Sequence, residues 1–402
     1  MPPEITSEKN QCLTPTATTG KEVPFGVNEV RLSARQWVVA VVIIILVLLI
    51  TPRLWTKVER FDTGADYRIP YQLSKDYWLY GRRLNQAADP AQILVLGDSV
   101  VWGEYVLPDG TLSHFLDQEA KTTNRFINCG LNGLFPLAQE GLVTYYSPAL
   151  RHRKVIVQCN VLWMTSPKAD LSTTKEEQFN HSRLVPQFTP RIPCYRADAN
   201  ERLAAAIERE VPFFAWVGHL QSAYFGQKSI LKWTLEGDDQ TPPHYPNGYK
   251  NPLSQITLSV PAAPLEDPQR GPKSARHKPW SSQGQNTTSF EWVGLESSLQ
   301  WQAFQRVIHT LRQRDNDILV VLGPFNEHLV SEQSRPALQA IRQGIAAWLT
   351  QQQLPHLVPE TLPSELYADA SHPLTEGYAR LAKQLYATDT FQKWMKHDLA
   401  AK

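Results

Sequence analysis

The sequence predicts an α/β protein: a parallel sheet covered by helices on both faces, with one membrane-spanning helix ahead of it and a large insertion within it. Three observations carry this. After residue 90, short apolar runs of strand length alternate with amphipathic helical segments, the pattern of strand–helix–strand crossovers in a parallel sheet. Residues 37–50, WVVAVVIIILVLLI, are apolar and uncharged. Residues 164–298 separate the third strand from the fourth, far more chain than the dozen or so residues a simple crossover needs.

Taken in order, residues 1–35 form a tail whose first 30 residues, with their Pro, Thr, Glu and Lys, read as disordered. Residues 36–55 form the anchor. The apolar run extends through Thr51 and Pro52 to Trp55, about 19 residues and enough to span a bilayer as a helix. Trp37 and Trp55 suit the two interfaces. The run starts too late for a cleaved signal peptide and lacks a small-residue cleavage site. Arg31 and Arg35 before the span balance Arg53, Lys57 and Arg60 after it, so loop charge does not set the orientation. A short tail ahead of a single span places the folded mass outside the cytoplasm.

Residues 56–90 read as a connecting region with an amphipathic helix around 74–86. Strands are expected at 93–97 (ILVLG), 125–129 (RFINC), 154–160 (KVIVQCN), 317–323 (DILVVLG) and 356–360 (HLVPE). Each is long enough for a buried strand. LSHFLDQEA, LQWQAFQRVIHTLRQR and RPALQAIRQGIAAWLTQQ carry helical periodicity, as does a terminal helix, ARLAKQLYATDTFQKWM. The sheet domain thus covers 91–163 and 301–390. The insertion, 164–300, begins with a helical part expected to pack as a small cap beside the sheet and continues from about 236 to 290 as an extended stretch rich in Pro, Gly, Ser and Gln.

Composition narrows the function. With 42% hydrophobic residues the chain of 402 can bury a large core. Forty basic against 39 acidic residues leave a formal charge of +1, which gives no electrostatic reason to bind nucleic acid. A substrate is therefore chosen by a pocket. Cys12, Cys129, Cys159 and Cys194 show no CxxC spacing, so no metal, redox or other cofactor is expected.

Two motifs carry chemistry. The first strand runs into Gly97-Asp98-Ser99, placing a serine where the strand stops and a turn or helix begins. A serine hydroxyl needs a base to become a nucleophile, and a strand end lets one reach it from elsewhere. No GxSxG surrounds Ser99, so the usual nucleophile elbow is excluded. Near the C-terminus, Asp369-Ala-Ser-His372 enters the terminal helix. There the imidazole can take the proton from Ser99 while the carboxylate orients the ring.

In order and topology these motifs resemble the GDSL/SGNH hydrolase family, whose first block is a strand-end GDS and whose last is DxxH before a terminal helix. The resemblance spans 91–163 and 301–388. It implies a three-layer flavodoxin-like sheet, a serine esterase or O-acyltransferase, Ser99 as nucleophile, and His372 with Asp369 as base and orienting acid. It further implies an oxyanion hole from the Ser99 N–H, a block-two glycine N–H and a block-three asparagine. Block two is similar to Asn128-Cys-Gly130-Leu-Asn132-Gly133, where Gly133 aligns better than Gly130. Block three departs from the family's Gly-x-Asn-Asp, reading Gln158-Cys159-Asn160-Val161. Asn160 takes the role there, with Asn132 as the reserve donor.

Trp102 and Trp163, close in sequence to the nucleophile and to Asn160, and Asn326 and His328 after the fourth strand, are candidates to line the pocket. The substrate implied by the resemblance is an ester-bearing carbohydrate or other cell-envelope molecule. A lipid esterase held at the bilayer, or a non-catalytic envelope assembly protein that keeps the fold, are the alternatives.

Overall fold

The computed structural model describes residues 32–87, 89–236, 250–261, 278–284 and 286–397. Helix α1 (Ala34–Val58) is long and apolar enough to cross a membrane. The tail before it, and most of the Pro-rich half of the insertion, lie outside the described residues.

The remainder is an α/β fold. It runs α2 (Tyr77–Gln86), β1 (Ile93–Gly97), α3 (Ser99–Trp102), α4 (Leu112–Ala120), β2 (Phe126–Gly130), α5 (Pro136–Gly141) and β3 (Lys154–Cys159). The insertion contributes α6 (Pro167–Asp170), α7 (Ala199–Glu210), α8 (Pro212–Tyr224), α9 (Ile230–Leu235) and α10 (Pro252–Gln255). Then come α11 (Leu299–Gln313), β4 (Asp317–Leu322), α12 (Arg335–Gln351), β5 (His356–Leu357), α13 (Thr375–Tyr386) and α14 (Asp389–Lys396). The five strands are all parallel, in the order β2-β1-β3-β4-β5.

Strand alternation builds the two faces. Ile93, Val95, Phe126, Ile156, Leu319 and Val321 pack with Leu116 of α4, Leu381 of α13 and Trp394 of α14. Their neighbours Leu94, Leu96, Ile127, Val155, Val157 and Val320 pack on the other side with Phe304 of α11, Ile345 of α12 and Leu79 of α2. Apolar side chains on both faces of the strands are what a sheet covered on both sides requires.

Three expectations need correction. The terminal helix is two: Thr388 accepts a hydrogen bond from the Phe391 N–H at 3.2 Å and caps a second helix, so an N-cap interrupts what periodicity alone reads as continuous. The strand expected at 356–360 is only His356–Leu357, since it lies at the sheet edge and pairs only with β4. The cap-like helices do not sit beside the sheet. Helix α8 puts Trp216, Leu220 and Tyr224 against Trp55 and Trp78, so it packs on residues of the connecting region and the base of the first helix.

That region is also more than a connector. Phe61, Ile69, Leu73, Tyr77, Tyr80 and Leu84 belong to the main core.

Candidate active site

The order β2-β1-β3 means that the chain leaves β1 toward one side and β3 toward the other. The crevice between such diverging strand ends is where open α/β sheets bind ligands. Ser99 stands there, two residues past the end of β1. Asp98 caps α3 by accepting from the Val100 N–H at 2.9 Å, and α3 ends at Gly103, whose φ of +87° suits a residue without Cβ.

Ser99 Oγ lies 2.8 Å from His372 Nε2. His372 Nδ1 lies 2.8 and 2.9 Å from the two carboxylate oxygens of Asp369. Nδ1 therefore donates to Asp369, which leaves the Nε2 lone pair to accept from the hydroxyl. Ser99 and His372 are 8% and 7% exposed: covered, but reachable.

Asp369 also accepts from the backbone N–H groups of Ser371 and His372, each at 3.0 Å. Burial opposes its ionisation, but His372 and those two N–H groups prevail and hold the carboxyl down at about 2. The loop carrying it is pinned from β4. Asn326 donates its side-chain amide to the Asp369 carbonyl at 3.0 Å and its backbone N–H to the Ala370 carbonyl at 2.8 Å.

The proposed oxyanion residues divide. Ser99 is the first residue of α3, where backbone N–H groups have no partner inside the helix. Gly133 sits in a turn closed by the Leu134 N–H on the Leu131 carbonyl at 3.2 Å, with φ of +72°; a Cβ there would come within 2.2 Å of the Asn180 amide. Gly130 is instead pressed on the α3 backbone, where a Cβ would lie 2.2 Å from the Trp102 nitrogen.

Asn160 is fully buried. Its amide donates to Asp98 at 3.2 Å and its carbonyl oxygen accepts from the Leu162 N–H at 3.0 Å. The amide nitrogen of Asn132, by contrast, is buried with no hydrogen-bond partner among the described residues. The Leu131 N–H donates to the Gly97 carbonyl at 3.2 Å, so Asn132 and Ser99 leave the sheet at the same level of neighbouring strands.

The pocket candidates turn out to be braces. Trp102 donates to the Ile69 carbonyl at 2.7 Å and lies under the Arg68 guanidinium at 4.1 Å. Trp163 donates to Asp98 at 3.0 Å and packs on Phe135 and Phe304. Asp98 is thus a buried knot between the ends of β1 and β3, and burial pushes its carboxyl up despite these donors. Asn326 holds the Asp369 loop, and His328 is exposed and contacts the Leu362 carbonyl at 3.0 Å.

Sequence reasoning missed Glu104 and Tyr105. The Tyr105 ring meets His372 edge-on at 5.4 Å, its hydroxyl contacts Asp369, and burial followed by that carboxylate pushes it up to about 12. Glu104 Oε2 stands 3.4 Å from His372 Nε2. The one available signal was an acidic and an aromatic residue directly after the Gly103 that ends α3.

An apolar cavity of about 330 Å³ opens on the same strand edge, lined among others by Gly133, Phe135, Leu171, Phe179 and Val185. Among the described residues no His/Cys/Asp/Glu group could hold a metal ion. A scan against protein-family models finds no match, and a search of curated proteins finds none either.

Proposed function

We propose that this protein is a serine esterase or O-acyltransferase that works through an acyl-Ser99 intermediate. The Ser99–His372–Asp369 chain of hydrogen bonds carries the reading. In the first step Ser99 Oγ attacks the ester carbonyl while His372 Nε2 takes its proton. Asp369 holds the opposite N–H and stabilises the imidazolium. His372 then returns the proton to the departing alcohol, leaving acyl-Ser99. Water or an acceptor hydroxyl, deprotonated by the same nitrogen, attacks that ester and releases Ser99.

The oxyanion donors we assign are the Ser99 and Gly133 N–H groups with the Asn132 amide, whose lack of a partner among the described residues supports it over Asn160, whose amide is taken by Asp98. Such a donor is worth about 10²–10³ in rate. The strand order β2-β1-β3-β4-β5 is the flavodoxin-like one. With the GDS and DxxH positions it supports membership of the GDSL/SGNH hydrolases. The apolar helix supports a single-pass anchor; we place the domain outside the cytoplasm as part of this proposal, with a carbohydrate or envelope ester as the substrate class.

A second reading, a lipid esterase, has the apolar cavity at Gly133 in its favour. A cavity of about 150 Å³ already binds benzene, so this one has room for an acyl chain beyond acetyl.

Labelling of the full chain in detergent with a fluorophosphonate tests the proposal. Wild type should label and Ser99→Ala should not; an unlabelled wild type would sink it. Turnover of acetyl against octanoyl esters then separates the two substrate classes.

A further inference from the structure

We propose that His181, a residue of the insertion, is a positioning residue for the oxyanion hole: its ring holds the Asn132–Gly133 peptide unit in the orientation that presents the Gly133 N–H to the site. This rests on Ser99 being the nucleophile and Gly133 an oxyanion donor.

Residues 131–134 form the turn that follows β2. The Leu134 N–H donates to the Leu131 carbonyl at 3.2 Å, and of the four residues only Gly133 has a positive φ, +72°, the pattern of a type II turn. Types I and II differ by a flip of the central peptide unit, here the one joining Asn132 to Gly133. Glycine takes either sign of φ at little steric cost, so the turn by itself leaves this flip open. The flip matters to the site because the peptide is planar and trans: the Asn132 carbonyl and the Gly133 N–H point in opposite directions. Whatever fixes the carbonyl aims the N–H.

His181 fixes the carbonyl. Its Nε2 lies 2.8 Å from the Asn132 carbonyl oxygen, which can only accept, so Nε2 carries a proton. The ring is 2% exposed, and burial brings its pKa down to about 4. Its Nδ1 lies 3.0 Å from the hydroxyl of Tyr77, at the start of α2, so the ring is held at both ends. His181 itself adopts φ of +58°, a conformation that a non-glycine residue keeps only where its surroundings impose it. Its carbonyl accepts from the Leu184 N–H at 2.9 Å, and Leu184 and Val185 are buried in the main core. The preceding residue packs on the same turn, since a Cβ on Gly133 would come within 2.2 Å of the Asn180 amide nitrogen. A hydrogen bond accepted by a carbonyl also polarises its peptide and strengthens the N–H at the other end.

Labelling of the full chain in detergent by a fluorophosphonate at varied concentration, with urea unfolding in parallel, tests this. The phosphoryl oxygen gains charge on attack as an ester carbonyl oxygen does and calls on the same donors. His181→Phe keeps a ring and removes the N–H. Its maximal labelling rate should fall about 10–100-fold, as for a misplaced donor, while the half-saturating concentration stays within about twofold, because the donor acts in the transition state. His181→Gln, whose amide again offers an N–H to the carbonyl, should recover to within about threefold of wild type.

A folded His181→Phe protein with the wild-type maximal rate would overturn the proposal. So would a folded His181→Gln protein as slow as His181→Phe, since ring shape and not the hydrogen bond would then be the cause. Should His181→Phe fail to fold, Tyr77→Phe takes its place by removing only the hydroxyl on Nδ1. It should slow labelling about three- to tenfold at a constant half-saturating concentration, and no loss would overturn the proposal. A wild type that takes no label strikes Ser99 itself; a labelled wild type with unaffected variants strikes His181 alone.

Discussion

Two histidines in this molecule sit between carboxylates, and they do different things. His372 has Asp369 on Nδ1 and the Ser99 hydroxyl on Nε2. His219, on α8, has Asp76 on Nδ1 at 2.7 Å and Glu59 on Nε2 at 2.9 Å. It is 0% exposed, and Glu59 also receives Tyr224 and Arg82. With a carboxylate on each nitrogen His219 is a double donor with no lone pair left to accept a proton, so it works as a cross-link. Burial works against its charged form, but Asp76 and Glu59 outweigh this and lift it to about 9. Buried His–carboxylate pairing alone is no argument for a base; the proposed role of His372 rests on what occupies the second nitrogen. At His372, Glu104 stops at 3.4 Å, beyond ordinary hydrogen-bond distance, and leaves that nitrogen to the serine.

The largest effect expected from this contrast is catalytic. Ser99→Ala and His372→Ala should each cut turnover by about 10⁴-fold or more, with little change in melting temperature. Parallel kinetics and thermal melts would show it, and a matching loss of stability would make the site structural. His219→Ala should invert the pattern. It leaves Glu59, Asp76 and Arg82 buried around a missing partner, a loss of about 3–5 kcal/mol readable by urea unfolding, while each folded molecule keeps its turnover. If His219→Ala abolished turnover in the folded protein, the division between the two clusters would fail.

How much of this was legible follows from how local each feature is. The β1 strand and the turn into Ser99 are written in five consecutive apolar residues and a capping Asp. Asp369 and His372 are three residues apart and meet through one turn. What was hidden is assembled from distant pieces. Glu104 reaches His372 only because a loop with two positive φ values folds back under Arg68, and Arg68 belongs to a segment that reads as a linker. The His219 cross-link joins residues from positions 59, 76 and 219, with no spacing to betray it. Asn160 and Trp163 hold plausible positions after β3, but their donors go to Asp98, a contact made only in the folded chain.

The pair Asn132 and Asn160 sharpens the comparison at a smaller scale, because it asks which amide works and which merely holds. Asn132→Ala should lower turnover by about 100-fold and leave stability nearly intact. Asn160→Ala removes the cap of the 161–164 turn and a partner of buried Asp98, so it should cost about 1–3 kcal/mol of stability. Kinetics and melts of the two variants decide this, and a swap of the two phenotypes would return the oxyanion role to Asn160.

The smallest effect lies in how the two clusters respond to pH. The folded value of His219 is raised from 6.5 to about 9, so its contribution is complete below pH 6.5 and is lost as pH rises through 9. Asp369 is lowered from 3.8 to about 2; its contribution is present above pH 3.8 and lost as pH falls through 2. The cross-link should therefore weaken in alkali and the Ser99 site in acid. Melting temperatures of wild type and His219→Asn across pH 6–10 isolate the first limb. Wild type should lose several degrees that the variant, already lacking the group, does not lose again; parallel curves would show that His219 is uncharged in the folded protein.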